Sequence, residues 1–155
     1  MSYIVRYVPP DLTPSRQLAH RVIDACRAKP NSSSDPALFT AAAVDQLYQD
    51  LSRWIGFDGC HALFTRALTQ AREDHPLLRT IQLFPRSSPY VLGVTETLVQ
   101  HGSVKIADAL EATLVILIDL LGRLIGEDMT TNLIERGLAE SERDEANGES
   151  RRAEA

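Results

Sequence analysis

Apolar residues recur along most of this chain at the three- and four-residue intervals of an amphipathic helix. The cleanest run is Val44, Leu47, Tyr48, Leu51, Trp54 and Ile55, with Asp45, Gln46, Gln49 and Arg53 on the opposite face. Helix starts are marked where a capping side chain precedes proline, at Thr13-Pro14, Asp35-Pro36 and Ser88-Pro89. The cap accepts a backbone N–H that the first turn leaves unpaired, and proline at the first helical position sacrifices no hydrogen bond. These signals predict a helix from Pro14 that Pro30 stops, with Leu18, Ala19, Val22, Ala25 and Cys26 on its apolar face. A second runs from Pro36 to Gly56. A third, capped by Asp58, reaches about His75 with Phe57, Cys60, Leu63, Phe64, Ala67 and Ala71 on one face.

Further along, Ser88-Pro89 predicts a short helix to His101, ended by Gly102. A long helix follows over about 104–125. Its stripe of Ile106, Leu110, Leu114, Leu117, Leu121 and Leu124 is widened by Ile116, Ile118, Leu120 and Ile125. A stripe broader than half the circumference needs neighbours on several sides. Each large residue fully buried is worth roughly 1.5–3 kcal/mol, so this helix is expected to be the centre of the core. Gly126 breaks the register, and Glu127 and Asp128 suit the positive end of a new short helix ending near Gly137. From Ser141 onward every residue is polar, small or charged. The expected organisation is a single helical domain over 1–140 and a disordered charged tail over 141–155, with no internal repeat.

Two segments read as strand. Tyr3–Val8 is β-branched and aromatic, and Arg79–Phe84 alternates weakly before Pro85. The fold class is therefore mainly α: a compact bundle of five or six helices around 104–125, with a short N-terminal strand whose candidate partner is 79–84. An isolated strand leaves its ladder groups unpaired. It must pair with 79–84, with another subunit or with a partner's sheet edge, which makes Tyr3, Ile4, Val5, Tyr7 and Val8 the candidate partner-binding residues. Leu38 and Phe39 also lie off the main stripe of their helix.

Composition and charge narrow the function classes. At 44% hydrophobic and 24% charged, the 155 residues resemble an ordinary globular domain. A net charge of −5 offers no footprint for nucleic acid and no basic patch for an anionic membrane. Ala112–Ile125, interrupted by Asp119 and Arg123, is too short and too polar to span a bilayer. The first residues lack the basic start and apolar run of a signal peptide. Cys26 and Cys60 form no disulfide framework and no CxxC pair. A cytoplasmic location is expected.

Candidate chemistry is sparse. Cys60 and His61 adjoin, but neighbouring helical positions point about 100° apart and two ligands do not define a zinc site. His20 occupies a polar helix face without the lysine and glycine that follow the histidine of phosphotransfer domains, and His75-Pro76 marks a boundary rather than a phosphorylation box. Gly56-Phe57-Asp58-Gly59 lacks the lysine and spacing of a phosphate loop. Glu127, Asp128, Glu135 and Glu142 suit a helix start and a solvated face. No cofactor or metal is expected. The residues point to a non-enzymatic regulatory or adaptor protein that binds a protein partner or itself. The alternatives are a ligand-sensing bundle with its pocket beside Tyr48, Trp54, Phe57 and Phe64, and an enzyme whose site is assembled in an oligomer.

Overall fold

The computed structural model describes residues 13–30, 33–87 and 89–154, with backbone alone at 141 and 144–154. The strand read at Tyr3–Val8, and with it any pairing to 79–84, lies outside the described residues. Helix α1 (Pro14–Arg27) starts where the Thr13 hydroxyl accepts the Arg16 N–H at 3.3 Å. Helix α2 (Pro36–Ile55) starts where the Asp35 carboxylate accepts the N–H groups of Ala37 and Leu38 at 2.9 and 3.4 Å. Both caps stand directly before a proline, as the sequence predicts.

Four further α-helices follow among the described residues: α3 (Phe57–Asp74), α4 (Val94–His101), α5 (Ser103–Ile125) and α6 (Glu127–Glu154). Single glycines join three of the pairs. Gly56, Gly102 and Gly126 have φ of 87°, 84° and 93° with ψ of 157°, 160° and 153°. That region is essentially closed to residues with a Cβ, so one residue both ends a helix and starts the next. Gly56, rather than Asp58, precedes α3. Asp58 occupies the first turn, where its charge meets the positive end of the helix dipole.

The stretch between α3 and α4 departs from the sequence reading. Pro76–Thr80 forms a 3-10 turn, η1, and Gln82–Leu83 (β1) pairs antiparallel with Val91–Leu92 (β2). The helix expected from Pro89 begins only at Val94. Two tertiary constraints override the local cap signal. Asp45, placed by periodicity on the polar face of α2, is half-buried and accepts the N–H groups of Tyr90 at 3.1 Å and Val91 at 2.9 Å. Gly93 holds φ at 92°, where a Cβ would overlap the Thr80 carbonyl oxygen. Burial raises the Asp45 carboxyl above the ordinary range despite its two N–H donors.

Helix α5 packs against all five other α-helices and against η1. Its Ile106, Leu110, Leu114, Leu117 and Leu121 are buried. It lies beside α2, and the two begin together. The Ser103 hydroxyl, on the first residue of α5, donates to the Asp35 carboxylate that caps α2, and it also accepts the Ala37 N–H. The Ser103 hydroxyl, followed by the Ala37 and Leu38 N–H groups, lowers the Asp35 carboxyl below its ordinary range.

This arrangement exposes an internal repeat that the sequence reading missed. The pair α2–Gly56–α3 recurs as α5–Gly126–α6, with identical residues at a scattered set of equivalent positions. Leu51, Arg53, Ile55, Asp58, Leu63 and Arg66 correspond to Leu121, Arg123, Ile125, Asp128, Leu133 and Arg136. The α2–α3 hairpin and the α5–α6 hairpin together form the main four-helix layer.

Helix α6 continues past Gly137, where the sequence reading ended it, and its backbone is helical to Glu154. Glycine inside a helix costs about 1 kcal/mol relative to alanine, which does not by itself break one. At Gly137 a Cβ would meet the Asp50 carboxylate oxygen at 2.7 Å, so the missing side chain is what lets α6 approach α2. No helix among the described residues is long and apolar enough to cross a membrane. Gly93→Ala should destabilise the fold by about 2 kcal/mol or more, because a positive φ and a backbone overlap coincide there. Thermal unfolding of that variant beside Gly59→Ala, a helical position where the Cβ would make only an ordinary contact with Ile55 at 3.7 Å, checks this. The first should melt well below the second.

Candidate functional site

Ten large hydrophobic side chains are exposed among the described residues, and six of them flank Gly56 and Gly126. Trp54 is 50% exposed and Phe57 41%, while Leu124 is 66% exposed and Met129 51%. Ile55 and Ile125, one residue before each glycine, are exposed in both copies of the repeat. Helices α2 and α5 start side by side and have 20 and 23 residues, about 30 and 34 Å. Their two glycine junctions therefore lie at the same end of the bundle. The sequence reading placed Trp54, Ile55, Leu124 and Ile125 on the apolar stripes of their helices. The stripes are real, but they outrun the helices that cover them.

Arginines frame this apolar end. The Arg136 guanidinium lies 5.6 Å from the Trp54 ring centre, and Arg86 lies 5.9 Å from that of Phe57. Arg86 also sits 3.6 Å from the Asp58 carboxylate, and Arg53 pairs with Glu140 at 2.6 Å. Exposed aromatic side chains beside arginine resemble the residue mix of protein interfaces.

A cleft of about 230 Å³ opens at the same end, between the first turn of α1, the last turns of α5 and the first turn of α6. Leu18 and Ile118 supply apolar lining, and Asp119, Arg123, Glu127 and Thr131 supply polar lining. Ser15 donates to Asp119 across the cleft. This is not the place beside Tyr48, Trp54, Phe57 and Phe64 where the sequence reading put a ligand pocket. There Tyr90 fills the space. Its ring stacks on Tyr48 at 3.6 Å with an interplanar angle of 1°, and Phe64 meets both rings edge-on at 5.8 and 5.6 Å. Tyr90 escaped notice because its segment read as the start of a helix.

The histidines and cysteines occupy structural positions. The His61 ring nitrogen lies 2.8 Å from the Tyr90 hydroxyl, His20 pairs with Glu111, and His75 and His101 stand at the ends of α3 and α4. Cys26 and Cys60 are buried free thiols, as their positions on apolar faces predict. Burial pushes the Cys60 thiol up to about 11, so it stays protonated at neutral pH. Among the described residues no three His, Cys, Asp or Glu side chains are grouped to hold a metal ion.

Asp50 is buried between α2 and α6. Desolvation raises its carboxyl above the ordinary range and the nearby Glu140 adds to this, against the Gln46 hydrogen bond and the charges of Arg53 and Lys29. A carboxyl raised in the folded state binds its proton more tightly folded than unfolded. Its charge thus costs stability progressively as pH rises from the ordinary carboxylate range through the raised value. Asp50→Asn keeps an acceptor for Gln46 and removes the charge. It should raise stability at neutral pH, with a gain that shrinks as pH falls toward the ordinary carboxylate range. Melting curves of the variant and the parent across that range check the sign.

The chain matches no protein-family model, no curated protein and no solved structure.

Proposed function

We propose that this chain is a non-enzymatic cytoplasmic contact protein, a regulatory or adaptor domain that associates with a second copy of itself through the apolar end of its bundle. The observation that supports this reading is the recurrence of exposed apolar residues at both glycine junctions. Trp54-Ile55 and Leu124-Ile125 occupy equivalent positions, and all four side chains remain partly exposed among the described residues. Apolar surface concentrated at one end is costly in water, and a partner that covers it recovers about 25 cal/mol for each Å² removed from solvent. The repeat makes the two halves of this end alike, which suits the self-complementary patch of a two-fold dimer. The apolar side chains of Tyr3, Ile4, Val5, Tyr7 and Val8 are the second contact element of this proposal.

Light scattering of the purified chain should report a dimer at micromolar concentration. Trp54→Glu and Leu124→Glu should each weaken association about tenfold or more, because each buries a charge in the contact. Their circular dichroism should stay helical, since both side chains are exposed in the monomer. A wild-type monomer at all concentrations overturns the reading, as does a full dimer in both variants.

A further inference from the structure

We infer that two copies meet in a crossed register, with the Gly56 junction of each against the Gly126 junction of the other and Arg86 of each beside Glu127 of the other copy. The inference rests on the self-association reading and names how the two ends fit.

The repeat limits how they can fit. Every residue from Arg53 to Gly59 is exposed, and so is every residue from Arg123 to Met129. Arg, Ile, Gly and Asp recur at equivalent positions in the two windows, so the end presents nearly the same outline twice. A two-fold contact across such an end admits two registers. Either each half meets its counterpart in the other copy, or each meets the opposite half.

Charge separates the two registers. Phe57 stands where the second half has Glu127, and Arg86 joins the first half. The Arg86 guanidinium lies 5.9 Å from the Phe57 ring centre and 3.6 Å from the Asp58 carboxylate. Its backbone N–H donates to the Tyr48 hydroxyl at 3.2 Å, which anchors the turn there. The first half therefore presents Arg53 and Arg86 against Asp58, while the second presents Glu127 and Asp128 against Arg123. Arg136 and Glu140, which α6 sends across to Trp54 and Arg53, carry opposite charges and cancel. Among the described residues the Glu127 carboxylate has no hydrogen bond or ion pair.

Two similar halves of opposite charge make a self-complementary end, which favours a second copy over a partner of one charge sign. Like on like would set Glu127 against Glu127 and Arg86 against Arg86. The crossed register sets positive against negative, and Trp54 against Leu124.

Single cysteines at equivalent positions test the register. A short bis-maleimide is applied to Asp58→Cys protein, to Asp128→Cys protein and to their mixture. Covalent dimer should form in the mixture at least about tenfold faster than in either protein by itself, because docking raises the effective concentration of the facing thiols. The native Cys26 and Cys60 are buried and stay silent. Arg86→Glu and Glu127→Arg should each weaken the dimer about threefold or more, and the doubly substituted chain should regain most of that loss. Faster linkage in either single protein than in the mixture, while light scattering reports a dimer, overturns the register and leaves self-association standing. So does a double variant no tighter than the singles. A dimer that links equally slowly in all three samples overturns the junctions as the contact. A monomer by light scattering overturns both readings.

Discussion

The structure depends on helices that turn back on themselves through one residue. At Gly56 and Gly126 the backbone takes φ near 90° and ψ near 155°, so a helix ends and its successor starts with no loop between them. Such a junction sets the two axes of a hairpin but supplies no chain to fold over its own tip. The last turn of α2 and the last turn of α5 therefore emerge partly exposed, with Trp54, Ile55, Leu124 and Ile125 at the surface. A longer loop could have folded back over those side chains. The apolar end is thus a direct consequence of the junction geometry, and the repeat produces it twice.

The remaining contacts serve to align the two hairpins. Asp35 joins the starts of α2 and α5 through Ser103, which sets these helices side by side. Gly137 admits α6 against Asp50, and Asp45 ties the β1–β2 hairpin to α2 through two backbone N–H groups. Each of these contacts places a carboxylate where two elements meet. Two of the three are held against desolvation, which raises Asp45 and Asp50 above the ordinary carboxylate range. Such charges cost stability and specify geometry, because a shifted helix would leave them without donors.

Local signals in the sequence carried the helices well. Thr13-Pro14 and Asp35-Pro36 mark true starts, and the broad stripe of Ile106 to Leu121 marks the central helix, because caps and periodicity act over one or two turns. The signals failed wherever the deciding partner was distant. Ser88-Pro89 reads as a helix start, yet Asp45, more than forty residues away, captures the backbone that follows it. Periodicity includes Trp54 and Leu124, yet cannot say where the covering helix stops. Gly137 reads as a terminator, yet its purpose is close approach to Asp50. The repeat is masked because equivalent positions hold different residues in the core, as with Tyr48 and Ile118 or Phe64 and Ile134.

In the proposed self-association, the apolar end is covered when two copies meet. Trp54 is the chain's one tryptophan and it lies at that end, so its intrinsic fluorescence reports on the contact without a label. At high protein concentration its emission should be blue-shifted and resistant to acrylamide, and on dilution it should move red and become accessible as the copies separate. Water-exposed emission, readily quenched at the highest concentration, would rule out a contact that covers this end.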